Sequence, residues 1–218
     1  MNQPPKYPSL PWPDVVDRVA QATYRLDTDQ ASGSGFLLSI GSGPKSHVAL
    51  LATAWHVVSD GAGSSLVVSD QHGCPVAKSD GKNISAMQVG NGLDSAVVVI
   101  ESPDPIFKQE QLLPSMPHDM QLARGSEIGW LGFPGIVEPE LCFFHGHISG
   151  FLTDPPVYLV DGVAINGVSG GPVFDDRAHL VGLVSAYLPN RVDESTTLPG
   201  VSWMVPLNFI MAWVHANL

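Results

Sequence analysis

The spacing of apolar positions changes twice along the chain. Between Trp12 and Ala20, Val15, Val16 and Val19 fall at helical intervals, and Pro13 and Asp14 suit a first turn, so a short helix is predicted behind a proline-rich leader. From Ala22 onward the pattern is one of strands and turns. The segments ATYRLDT, SGSGFLLSI and HVALLATAWHVV are separated by Gly-rich or polar breaks, and SLVVS, AMQVG, DSAVVVIES, SEIGWLGF, LCFFHGHISGFL, VYLVDGV, GPVF, HLVGLVSAYL and GVSWMV continue the series. Strand candidates recur without long helices between them, which predicts an all-β barrel or sandwich rather than parallel α/β units. After Pro206 the spacing turns helical again, with Leu207, Ile210, Met211 and Val214 on one face. Between Ser102 and Arg124 lie Pro103, Pro105, Pro114 and Pro117 and little periodicity. The predicted layout is a leader and helix over 1–21, a first β half over 22–101, a linker over 102–124, a second β half over 125–205 and a closing helix over 206–218.

Composition narrows the function. The 218 residues hold 10 Lys and Arg against 21 Asp and Glu, a formal charge of −11, which argues against a protein that tracks nucleic-acid phosphates. Charged residues make up only 14% of the chain and apolar ones 44%, so a buried core rather than disorder is expected. The longest apolar segments, Val48 to Val58 and Val201 to Trp213, are broken by Thr, His, Pro or Asn and fall short of a membrane span, so no membrane partner is expected. The opening residues do not read as a signal peptide, which predicts a cytoplasmic protein. Cys74 and Cys142 read as free thiols there.

Three places could carry chemistry. In Asn166-Gly167-Val168-Ser169-Gly170-Gly171-Pro172-Val173-Phe174, a serine enclosed by glycines suits an exposed nucleophile, because the backbone must turn sharply and present N–H groups to a developing oxyanion. A plain Gly-rich hairpin reads the same way. A serine needs a base, and among eight histidines His56 stands out at the end of the apolar run Val48 to Ala54. Asp94, at the mouth of the apolar strand Ala96 to Ile100, suits the carboxylate that would orient such a base, or an ordinary turn aspartate.

Taken together, these segments resemble the chymotrypsin/trypsin-like serine peptidases. Thr53-Ala54-Trp55-His56 is similar to that family's Thr-Ala-Ala-His, Asp94-Ser95-Ala96-Val97 to its Asp-Leu/Ile-Ala, and Gly167-Val168-Ser169-Gly170-Gly171-Pro172 to its Gly-Asp/Asn-Ser-Gly-Gly-Pro. Gly182-Leu183-Val184-Ser185 resembles the strand that lines the substrate cleft. Gly33-Ser34-Gly35-Phe36 and Gly132-Phe133-Pro134-Gly135 look closest to bacterial HtrA/Deg-type and other intracellular members. The resemblance implies two six-stranded antiparallel Greek-key barrels with the site between them. It also implies Ser169 as nucleophile, His56 as general base, Asp94 as orienting acid, and the N–H groups of Gly167 and Ser169 as an oxyanion hole. Ser185 would stand near Asp94 at the edge of the primary specificity pocket. No cofactor is implied, and the substrate would be a protein or peptide.

The pattern also departs from the family. Val168 stands where many relatives carry an Asp that pairs with a newly cut N-terminal ammonium. It leaves the oxyanion loop without a local polar pin, so the loop is expected to be poorly formed until substrate or a regulatory protein partner orders it. The alternative reading is therefore a non-catalytic or partner-activated trypsin-fold module that binds peptides. By alignment, Val163 would form the floor of the specificity pocket and Tyr187 would narrow it, favouring small or medium apolar residues at P1. Cys142, His145 and His147 lie close together but lack a matching second pair, so no metal site is expected.

Overall fold

The computed structural model describes residues 9–43, 46–60, 65–90, 92–117, 120–137, 139–191 and 197–218. Helix α1 spans Trp12–Ala20, as its spacing predicts. The first β half comprises β1 (Thr23–Asp27), β2 (Ser32–Ser42), β3 (His47–Thr53), β4 (Val67–Ser69), β5 (Pro75–Lys78), β6 (Ile84–Gln88) and β7 (Ala96–Ser102). These pair antiparallel in the order β5-β4-β1-β2-β3-β7-β6. Among the described residues the half thus has seven strands in a rolled sheet, where six in a barrel are expected. The additional strand is β5, a short edge piece that opens with Pro75, where the missing N–H is tolerated. Val68 of β4, Ala77 of β5 and Ile84 of β6 all enter one core with Leu37, Leu51 and Val98 from the sheet's centre.

The apolar run in β7 has a direct cause. Ala96, Val98 and Ile100 face the rolled core, while Val97 and Val99 on the alternate face meet a second cluster that includes Leu180, Leu183 and Val205 from the other half. A strand buried on both faces needs no polar positions.

The second half comprises β8 (Glu127–Gly132), β9 (Cys142–Thr153), β10 (Pro156–Val160), β11 (Pro172–Phe174), β12 (Leu180–Arg191) and β13 (Thr197–Pro206), closed into a six-stranded barrel in the order β10-β13-β12-β11-β8-β9. Its interior holds Ile128, Trp130, Ile148, Tyr158, Val173 and Val184. Strand β9 alternates faces, with Phe143, His145 and His147 outward and Gly146, Ile148 and Gly150 inward. The two halves are joined through residues 103–126; among the described residues these carry no strand and one 3-10 turn, at Gln109–Gln111.

The terminal helices cross between the halves. Helix α1 precedes the first sheet, yet Val15, Val19 and Ala20 pack with Leu131, Phe174 and Ala178 of the second. Helix α3 (Leu207–Asn217) follows the second barrel, yet Leu207, Ile210 and Val214 share a cluster with Phe36, Ala52 and Val97 of the first. Ile210 is fully buried there. Ile210→Ala is therefore expected to remove about 2–5 kcal/mol of stability. Urea denaturation followed by fluorescence is expected to show the lower midpoint as one transition, because the cluster it damages belongs to both halves.

Candidate active site

Strand β3 ends at Thr53, and Ala54 is still extended before a single helical turn, α2 (Trp55–Val58). Val57 and Val58 are buried in the rolled core and anchor that turn, which leaves His56 on its open side with a side chain 53% exposed. The sequence pattern predicts a strand running through these residues; the buried valines serve equally well on one face of a short turn. Asp94 lies just before β7, between the buried residues Leu93 and Ser95.

The Asp94 carboxylate gathers three donors. Oδ1 accepts the backbone N–H of His56 at 3.0 Å, and Oδ2 accepts from His56 Nδ1 at 2.7 Å and from the Ser185 hydroxyl at 2.9 Å. Burial pushes the Asp94 carboxyl up, but the bonds from the His56 ring, the His56 backbone and Ser185 outweigh it and leave the group below its ordinary range. The same bond to Asp94 raises the His56 imidazole above its usual value against the opposing effect of burial. With Nδ1 as donor, the neutral ring keeps the Nε2 lone pair free to take a proton.

Ser169 lies in the turn before β11. Each carbonyl of the loop has a donor: Gly135 N–H to Asn166 at 2.9 Å, the Ser34 hydroxyl to Gly167 at 2.7 Å, Gly171 N–H to Val168 at 3.0 Å, and Ser34 N–H to Ser169 at 2.8 Å. Among the described residues, the N–H groups of Gly167 and Ser169 meet no acceptor. The loop that Val168 is expected to leave unpinned has a donor at each carbonyl from Asn166 to Ser169. Val168 is buried in the second barrel's core rather than idle, and the polar pins come from outside the loop. Gly167 sits at φ +93°, a conformation that other residues rarely adopt. Gly170, at φ +84°, allows the loop to touch the histidine turn: a Cβ there would lie 2.3 Å from Thr53 Oγ1 and 2.7 Å from Ala54 N.

The structure therefore joins His56, Asp94 and Ser185 directly and sets the Ser169 loop against the turn that carries His56. Among the described residues no hydrogen bond links Ser169 to His56; such bonds are commonly long until substrate binds. The pocket assignments fare differently. Val163 is 43% exposed. The Ser202 hydroxyl donates to Gly162 O at 2.6 Å and accepts Ala164 N–H at 2.9 Å, which fixes this extended stretch with Ala164 inward and Val163 outward. Tyr187 pairs with Ser202 along β12 and β13, but its side chain lies outside the described residues. Sequence reasoning missed Ser34, Ser202 and Gly135 as parts of the site. A buried polar residue between two glycines, Gly33-Ser34-Gly35, was the available signal for the first.

On β9, Cys142 and His145 point to opposite faces. His145 Nε2 lies 2.7 Å from Glu127 Oε1, and His147 sits against Asp161. Both cysteines are free.

Two β halves, with a histidine–carboxylate pair on one and a glycine-enclosed serine presented by the other, define the double-β-barrel architecture of chymotrypsin-type proteins. The pattern that defines the trypsin-like peptidase domain matches residues 33–183, and the chain belongs to that family. Its fold is similar to that of the serine endoprotease from Yersinia pestis, with a TM-score of 0.69 at 19% identity over 96% of this chain and 67% of that one. It is also similar to the HtrA-type protease AlgW with tripeptide (0.70, 20%, 95% and 63%) and to the inactive form of the M. tuberculosis H37Rv protease Rv3671c (0.66, 16%, 96% and 97%). The chain thus spans less than two thirds of AlgW. No curated protein sequence matches it.

Because the folded His56 value lies above the unfolded one, the stability that its contact with Asp94 contributes is fully present below the ordinary imidazole range and fades as pH rises through the raised value. Titration of His56 by NMR is expected to give a midpoint above that of an exposed histidine. In Asp94→Asn the midpoint is expected to fall, since the carboxylate that favours the imidazolium is gone.

Proposed function

We propose that the protein is a serine endopeptidase acting on protein or peptide substrates. The observation that carries this reading is the His56–Asp94 pair, held through both the ring and the backbone N–H of His56, facing a serine loop with two uncommitted amides. In the proposed mechanism Ser169 Oγ attacks the scissile carbonyl as His56 Nε2 removes its proton. Asp94 holds the Nδ1 proton in place and favours the imidazolium that forms. The Gly167 and Ser169 amides receive the oxyanion. The imidazolium then protonates the leaving amine, and an acyl-enzyme remains on Ser169. His56 next activates water to release the acyl group and regenerate the serine.

We further propose that small or medium apolar residues are preferred at P1. Val163 and Ser185, the residues that alignment with the family places at this pocket, carry no charge to pair with a bound Lys or Arg. A partner-activated module is the weaker reading, because each loop carbonyl from Asn166 to Ser169 already has a donor in the isolated chain.

Isolated wild-type protein is expected to react with a fluorophosphonate probe and to cleave a denatured protein substrate. Ser169→Ala is expected to abolish labelling and to reduce cleavage by at least about 10³-fold. Absence of labelling in folded wild type would contradict the assignment. In a peptide library, cleavage is expected after Ala, Val or Leu, and dominant cleavage after Arg would overturn the P1 reading.

A further inference from the structure

We propose that Ser34 is a positioning residue for the oxyanion site, holding the Gly167 and Ser169 amides in reactive orientation from the opposite half of the molecule. The inference rests on the reading of Ser169 as nucleophile. Ser34 lies on β2, is fully buried and makes four hydrogen bonds. Its hydroxyl donates to Gly167 O at 2.7 Å and accepts Phe133 N–H at 3.0 Å, so both functions of the group are used. Its backbone N–H donates to Ser169 O at 2.8 Å, and its carbonyl accepts the Thr53 hydroxyl at 2.7 Å. One residue thus meets the nucleophile loop twice, the end of β8 once and the strand end leading to His56 once.

The consequence follows from the geometry of trans peptides, in which C=O and N–H point in opposite directions. The Gly167 amide belongs to the same plane as the Asn166 carbonyl, which Gly135 holds. That restraint alone is incomplete. Gly167 adopts a positive φ and, lacking a Cβ, is free to rotate unless the plane on its other side is also held. The Ser34 hydroxyl holds that second plane through Gly167 O. The Ser34 N–H does the same for the plane after Ser169. Val168, buried and apolar, offers the loop no polar side chain for this purpose. The pin is also neutral, so the loop's orientation is uncoupled from the titration of any group at the pin.

The test compares wild type with Ser34→Ala and with the near-isosteric Ser34→Cys, a weaker donor. In Ser34→Ala, kcat for a peptide amide is expected to fall about 10- to 100-fold, equivalent to about 1.4–2.7 kcal/mol. KM should stay within about twofold, because the interaction lost is one made to the transition state. The pH midpoint set by His56 should not move, so the rate falls by one factor across the profile. A peptidyl aldehyde, whose hemiacetal oxygen occupies the same amides, should lose affinity by a similar factor. Ser34→Cys should lie between the two, and it carries the comparison if Ser34→Ala does not fold. Unchanged kcat with a lower melting temperature would make Ser34 a packing residue and overturn the assignment, as would a raised KM at constant kcat. If wild type labels with fluorophosphonate and Ser34→Ala labels equally fast, only the Ser34 assignment falls. If folded wild type does not label, the peptidase reading falls and takes this one with it.

Discussion

The site exists because two backbones approach each other with nothing between them. Strand β2 and the nucleophile loop are far apart in sequence, Ser34 and Gly167 being 133 positions apart, yet they are joined by direct hydrogen bonds. A side chain at Gly170 would intrude to 2.1 Å from Ser34 O. Catalysis by separate groups requires reacting atoms to be held within a fraction of an ångström, and a seam of backbone contacts supplies that stiffness better than long side chains could. The donors and the bare glycine surface are two halves of one requirement: close approach permits the bonds, and the bonds justify the close approach.

Electrostatics at the site follow the same economy. Asp94 is partly buried, and a lone buried carboxylate would be driven toward its neutral form. Two bonds from His56 and one from Ser185 reverse that tendency. The negative charge is therefore sustained by neighbours whose own placement depends on both halves, since His56 belongs to the first and Ser185 to the second. The ion pair itself lies within the first half, and the second half adds the Ser185 bond to it.

Much of this was legible in the chain. The terminal helices announce themselves by 3.6-residue spacing, and the strands by short apolar runs between turns. His56, Asp94 and Ser169 were each ambiguous alone and became informative only in order. What stayed hidden is what depends on partners distant in sequence. The Trp55–Val58 turn is apolar for packing reasons and looks like a continuation of β3. The edge strand β5 has too little apolar content to register. Counting from Ser169 puts Val163 at the specificity pocket, but the way that stretch faces is set by a hydroxyl from Ser202, about forty residues away. Val168 leaves no polar pin in the loop itself; the pin comes from β2, where only the polar residue between Gly33 and Gly35 marks it.

The crossing of the terminal helices has a topological consequence. Each terminal helix packs against residues of the half to which it is not directly attached, so the polypeptide is closed on itself as two hands clasp by exchanging fingers. Residues 103–126 then serve as a tether more than as a hinge. Cleavage of that tether would not release two separable pieces, because α1 would remain seated on the second barrel and α3 across the seam with the first sheet.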